Sequence, residues 1–160
     1  MTDEDLLLWM LNSTPVIDGR RTDRLGDPAA RGGTGTGAEL TAVRTARDRL
    51  QGVVRGDRPA ADLAPLLEGV HRSPVIGDTG LEWQLDAPAD RLLAVRAVLA
   101  WAELHEQHPG RLRACANDEC RLFLLDRSRA GTARWCSMAT CGNRMKARRH
   151  QGRYGRIAST

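Results

Sequence analysis

The sequence predicts a mainly α-helical fold: a helical N-terminal domain over residues 1–110 that carries one β-hairpin, then a small cysteine-bearing module over residues 111–160. Three observations predict it. Apolar residues recur at helical spacing before residue 110, most clearly at Leu92, Val95, Leu99 and Ala102. Leu81, Trp83 and Leu85 alternate after the turn signal Gly77-Asp-Thr-Gly80, as one strand of a hairpin does. All four cysteines fall in two close pairs between positions 115 and 141.

Taken in order, Asp3 to Leu11 reads as a short helix presenting Leu6, Leu7, Trp9 and Met10. Residues 12–37 read as irregular. Pro15, Pro28 and the run Arg31-Gly-Gly-Thr-Gly-Thr-Gly37 break periodicity, which predicts a flexible Gly-rich loop at about 26–37. Leu40, Val43, Leu50 and Val54 predict an amphipathic helix over 38–55, closed by Gly56. Leu63, Leu66, Leu67 and Val70 form a second short stripe, with Pro65 expected in its first turn. The hairpin is expected over 74–85. The clearest helix follows, with Asp86 as N-cap, Pro88 in the first turn and Pro109-Gly110 as the stop; Leu93, Val98 and Trp101 widen its apolar stripe.

At 160 residues and 41% apolar composition, the chain can bury one modest core plus a small module. Aromatic residues are few, so Trp9, Trp83, Trp101 and Trp135 are expected to anchor separate parts of the packing. No apolar run approaches the roughly 20 residues of a membrane span. The start, Met1-Thr-Asp-Glu-Asp5, is acidic where a secretory signal is basic. A cytoplasmic protein with no membrane partner is therefore expected. Thiols stay reduced there, so gathered cysteines point to metal rather than disulfides.

The spacing is Cys115-x4-Cys120-x15-Cys136-x4-Cys141. Two close pairs on a longer loop let each pair chelate one edge of a tetrahedron, a treble-clef-like arrangement of hairpin and helix. Four Cys ligands close the shell, whereas a catalytic zinc keeps a position open, so one structural Zn²⁺ is expected. The bland alternative is a set of buried free thiols. Ser137 is placed to cap a helix beginning near Cys141, and Trp135 to lie over the module as a packing lid.

Charge is divided unevenly. Residues 1–110 hold 12 Arg against 17 Asp and Glu, a balance of −5; residues 111–160 hold 11 Arg and one Lys against Asp118, Glu119 and Asp126, a balance of +9. Four thiolates on Zn²⁺ leave about +7 on the loaded module, a concentrated field for nucleic acid or another polyanion. A basic helix over 138–152 would carry Arg144, Lys146, Arg148, Arg149 and His150, with Arg153 just beyond its end and Arg127, Arg129 and Arg134 extending the surface from the preceding loop. Arginine forks suit phosphate oxygens, and Asn143 is a candidate for reading base edges. Some of these arginines are expected to offset the zinc centre or pair with carboxylates instead, Arg144 first among them because it lies beside the last ligand.

Cys115-Ala-Asn-Asp-Glu-Cys120, Phe123-Leu-Leu-Asp-Arg-Ser-Arg129 and Arg134-Trp-Cys-Ser-Met-Ala-Thr-Cys-Gly-Asn-Arg-Met-Lys-Ala-Arg-Arg-His150, with Cys141-Gly-Asn-Arg144 intact, resemble the bacterial CGNR zinc finger family. Leu6–Asp18 and the helical pattern after it resemble, more loosely, the domain usually joined to that finger, described as a stress-induced transcription regulator. The resemblance implies a DNA-binding transcription regulator that is not an enzyme. Its N-terminal domain would take an effector ligand or a protein partner, or form a homodimer. Two rivals stand beside it. One is an adaptor whose zinc-stabilised finger docks on protein or RNA; the other is an N-terminal domain that binds a small molecule or catalyses. Gly33-Thr-Gly-Thr-Gly-Ala38 fits a dinucleotide pattern formally, but no strand leads into it and no βαβ unit follows. His71, His105 and His108 are expected at helix ends without a catalytic role.

Overall fold

The computed structural model describes residues 1–157, with side chains to residue 151. Helices α1 (Asp3–Leu11), α2 (Gly37–Arg55) and α3 (Leu92–Gln107) build one core. Thr2 starts α1 through a capping box: its hydroxyl accepts from the Asp5 amide, and the Asp5 carboxylate accepts from the Thr2 amide, both at 3.1 Å. Leu6, Leu7, Met10 and Leu11 are then fully buried. Thr36 caps α2 by accepting from the Glu39 amide, and Gly56 closes it at φ 81°, a conformation that costs a residue with a Cβ.

Several expectations are corrected. The segment 12–37 is not wholly irregular. Strands β1 (Val16–Ile17) and β2 (Arg20–Arg21) form a small hairpin, so the N-terminal region has two hairpins rather than one. Asp18 and Gly19 both have positive φ, at 51° and 74°, the turn that an Asp-Gly pair favours. The Gly-rich segment holds a 3-10 turn at Pro28–Arg31 and then bonds to α2. The buried Glu39 carboxylate accepts from the Gly35 amide at 2.8 Å and the Thr34 hydroxyl at 3.1 Å. The second apolar stripe is a 3-10 segment, Ala60–Leu67, and Pro65 sits toward its end, not in its first turn.

Asp86 does not cap α3. It is the last residue of β4 (Gly80–Asp86), which pairs with β3 (His71–Gly77), and a short 3-10 turn at Ala89–Arg91 leads into the helix. The buried residues of α3 are Leu93, Ala94, Val95, Ala97, Val98, Ala100 and Leu104; of the expected main stripe Val95 is fully buried, Leu92 and Leu99 are half-buried and Ala102 is exposed. Helices α1 and α2 both pack against α3.

Strands β5 (Leu112–Ala114) and β6 (Phe123–Leu125) pair antiparallel and join the helical core rather than forming an isolated one. Phe123 is 2% exposed within it, and Leu112, Ala114 and Leu125 pack against it. Asn12, the residue after α1, holds the strand by two bonds: its amide donates to the Phe123 carbonyl at 3.2 Å, and its carbonyl oxygen accepts from the Phe123 amide at 2.7 Å. This side chain pairs with one residue of β6 as a neighbouring strand would. Arg55, in the last turn of α2, lies 4.3 Å from the Phe123 ring centroid and donates to the Arg121 carbonyl at 2.6 Å. Burial pulls its guanidinium down to about 10, still charged at neutral pH. Among the described residues no helix is long and apolar enough to cross a membrane.

Candidate metal centre

The cysteines come from four short pieces of chain that the core and the β5–β6 hairpin bring together. Cys115 directly follows β5, Cys120 ends the turn toward β6, Cys136 ends the long loop, and Cys141 lies in a single π-helical turn, Met138–Gly142, ahead of α4 (Asn143–Ile157). All four Sγ atoms lie within 4.8 Å of one another. Cys120 Sγ and Cys136 Sγ are 3.6 Å apart, and Cys136 Sγ and Cys141 Sγ 3.7 Å. Tetrahedral zinc with bonds of about 2.3 Å sets sulfur atoms about 3.8 Å apart, so the donor set fits that ion.

Two of the thiols, Cys120 and Cys136, are poorly suited to ionise alone. Burial pushes the Cys120 thiol up to about 11 and the Cys136 thiol higher still. At Cys141 burial acts the same way, but hydrogen bonds from the Asn117 amide and neighbouring thiols outweigh it and lower the group. A divalent cation at the centre would stabilise all four thiolates together, which four crowded thiolates without one could not achieve.

Asn117, absent from the sequence expectations, is buried between the two chelating pairs. Its amide donates to Cys141 Sγ at 3.5 Å, its side-chain oxygen accepts from the Glu119 amide, and its carbonyl accepts from the Cys120 amide at 2.8 Å. One residue thereby shapes the first knuckle and bonds a ligand of the second. The available signal was an Asn two positions after the first Cys, a common turn-former. Asn117→Ala should weaken zinc binding about 10–100-fold, as loss of outer-shell partners does; competition with a chromogenic chelator would measure it, and unchanged affinity would contradict this role.

A second buried hub shapes the long loop. The Asp126 carboxylate accepts from the Ser128 hydroxyl at 2.6 Å, the Ser128 amide at 2.9 Å, the Ala133 amide at 2.8 Å and Arg113 at 2.6 Å. These bonds, Ser128's first, hold its carboxyl down at about 2. Gly142 explains itself by space. A Cβ there would sit 2.7 Å from Met138 Sδ and 3.3 Å from Trp135 Cδ1, so Trp135 packs on the π turn. Ser137 occupies the expected cap position, but its side chain makes no capping bond.

The expected nucleic-acid residues separate into groups. Arg148 is held by Glu119 through two contacts of 2.8 Å, which ties α4 to the Cys120 knuckle and lowers the Glu119 carboxyl. On α4 it is therefore Arg148, not Arg144, that braces the zinc module. Arg127 pairs with Glu4 of α1 at 2.9 Å, and Arg134 lies 5.4 Å from the Trp135 ring centroid. Asn143 is exposed, its amide 3.4 Å from the Ala139 carbonyl. Arg144, Lys146 and Arg149 on α4, and Arg129 in the loop, are exposed and without an acidic partner among the described residues. The Arg153 side chain lies outside the described residues.

Four cysteines converging on a closed tetrahedral shell define the module as a structural zinc-binding domain with a site for one ion. Residues 111–154 match the family model of the CGNR zinc finger, which covers this module and none of α1 to α3. No curated protein matches the chain.

Proposed function

We propose that the chain is a non-enzymatic, DNA-binding transcription regulator whose zinc module presents α4 to the duplex. The supporting observation is that Arg144, Lys146 and Arg149 leave the zinc site exposed and, among the described residues, without an acidic partner, on a helix whose start is fixed by Cys141 and braced by Arg148. Zinc then acts by orienting a basic helix, and its chemistry ends there. Phosphate contacts by these cations position the protein without reading sequence; Asn143, exposed at the helix start, is the group placed for a base edge.

With about five cations on phosphate, including Arg129 and Arg134, log K should fall against log salt with a slope of about −4 to −5 on duplex DNA. The triple variant Arg144→Ala/Lys146→Ala/Arg149→Ala should flatten that slope by about 3 and retain zinc. Fluorescence anisotropy across a salt series measures both. A slope near zero, or a triple variant that binds as the wild type does, would overturn the reading. Equal affinity for duplex DNA and heparin would instead favour the adaptor alternative.

A further inference from the structure

The β3–β4 hairpin is the anomaly of this surface. Among the described residues, Val75, Ile76, Leu81 and Trp83 of the hairpin make up most of the exposed large apolar side chains. Ile76 is 82% exposed, and Leu81 and Trp83 are 60% exposed. The register pairs Arg72 with Leu85, Pro74 with Trp83 and Ile76 with Leu81. Every second residue shares a face, so these six form one side of the hairpin, and Val75, Glu82, Gln84 and Asp86 belong to the other. Alternation of this kind usually turns its apolar side to the protein's own core. Here the hairpin packs chiefly on itself and the apolar side meets solvent. Soluble monomers rarely leave such a patch open.

Charge on the hairpin selects the occupant. Arg72 is the one charged residue of the apolar face and lies at its base, while Asp78 lies in the turn at its tip. Neither has an oppositely charged partner within ion-pair distance among the described residues. We propose that this face is a two-fold interface between two copies of the chain, with the hairpins stacked antiparallel. A two-fold axis through the centre of the face carries each Asp78 to the Arg72 of the other copy. The Pro74–Trp83 and Ile76–Leu81 pairs then cover their counterparts, as an isologous contact requires.

The base of the face has room for the incoming turn. An open cleft of about 290 Å³ lies between Arg72 and Leu99, Ala102, Glu103 and Glu106 of α3. Glu82 and Asp86 point to the opposite face and stay out of the contact. The interface does not rest on the DNA-binding reading, although a dimer would carry two zinc modules to a target.

Sedimentation equilibrium of the full zinc-loaded chain tests it. The wild type should be a dimer. Trp83→Glu should weaken association on the order of a hundredfold, as loss of a central aromatic anchor does. Arg72→Glu and Asp78→Arg should each weaken it by about tenfold, and the two together should restore it. Zinc content and far-ultraviolet circular dichroism show that each variant is folded; Ile76→Glu replaces Trp83→Glu if that chain fails this check. A monomer at every concentration, a dimer indifferent to Trp83→Glu or Ile76→Glu, or a double variant no tighter than the single ones would overturn the proposal.

Discussion

Replacing Cys141 with Ser should leave the purified chain without zinc and destabilise the helical core as well as the C-terminal module. A structural zinc site contributes about 10–16 kcal/mol of apparent binding free energy to a small finger, and that energy is inseparable from its folding. Cys141 is central to this site: it lies in the π-helical turn that leads into α4 and accepts the Asn117 hydrogen bond. Without the ion, the three remaining thiols and Asn117 lose their common centre, and the hairpin β5–β6 loses the knuckle that joins its strands. That hairpin is part of the main core through Phe123, Leu112 and Leu125, so its loosening opens a side of α1 and α2 to water. Metal analysis should find almost no zinc in the variant, and its thermal transition should move down and broaden. Wild-type protein stripped with a strong chelator should behave the same way. One zinc per variant chain, or an unchanged transition, would contradict the coupling.

Phe123→Ala should cost about 3–5 kcal/mol, the range for emptying a buried aromatic site. Total stability for a domain of this size is only about 5–15 kcal/mol, so the loss is a large fraction of it. The ring is 2% exposed at the junction of α1, α2 and the zinc hairpin, and Arg55 lies over it. Removing it leaves a cavity and strips the half-buried guanidinium of its aromatic partner. The Asn12 bonds, which use the Phe123 backbone, should survive. The cost should therefore reflect packing and not loss of strand position. Denaturant unfolding followed by tryptophan fluorescence would measure it. Phe123→Leu, which retains most of the volume, should cost clearly less; a loss below about 1 kcal/mol for the alanine variant would show that the junction collapses around the gap.

Much of the metal site was legible because its information is local. Ligand spacing, residue type and the Cys141-Gly-Asn-Arg144 run define which atoms can meet one ion, and the four sulfurs do converge. The three main helices were legible for a similar reason, since periodic apolar residues and a closing glycine such as Gly56 act within a turn or two. The Asp18-Gly19 hairpin was legible in principle from its turn pair but lay hidden among prolines and glycines. Asn117 and Asp126 were not legible as organising residues, because their partners are backbone groups and sulfurs positioned by distant segments. The sorting of arginines was likewise invisible: nothing local distinguishes Arg148, held by Glu119, from Arg149, which has no such partner among the described residues.

The sequence by itself determined the zinc ligands, the positive charge of the last fifty residues and the helical character of the first hundred or so. These follow from residue chemistry and short-range periodicity. Only the tertiary structure decided that β6 enters the helical core through Phe123, that Arg148 braces the module while Arg144, Lys146 and Arg149 stay exposed, and that the alternating hairpin turns its apolar face outward. Alternation states that a strand has two unlike faces, but which face meets water depends on what packs against it. That is a property of the whole chain's arrangement, and here of a second copy as proposed.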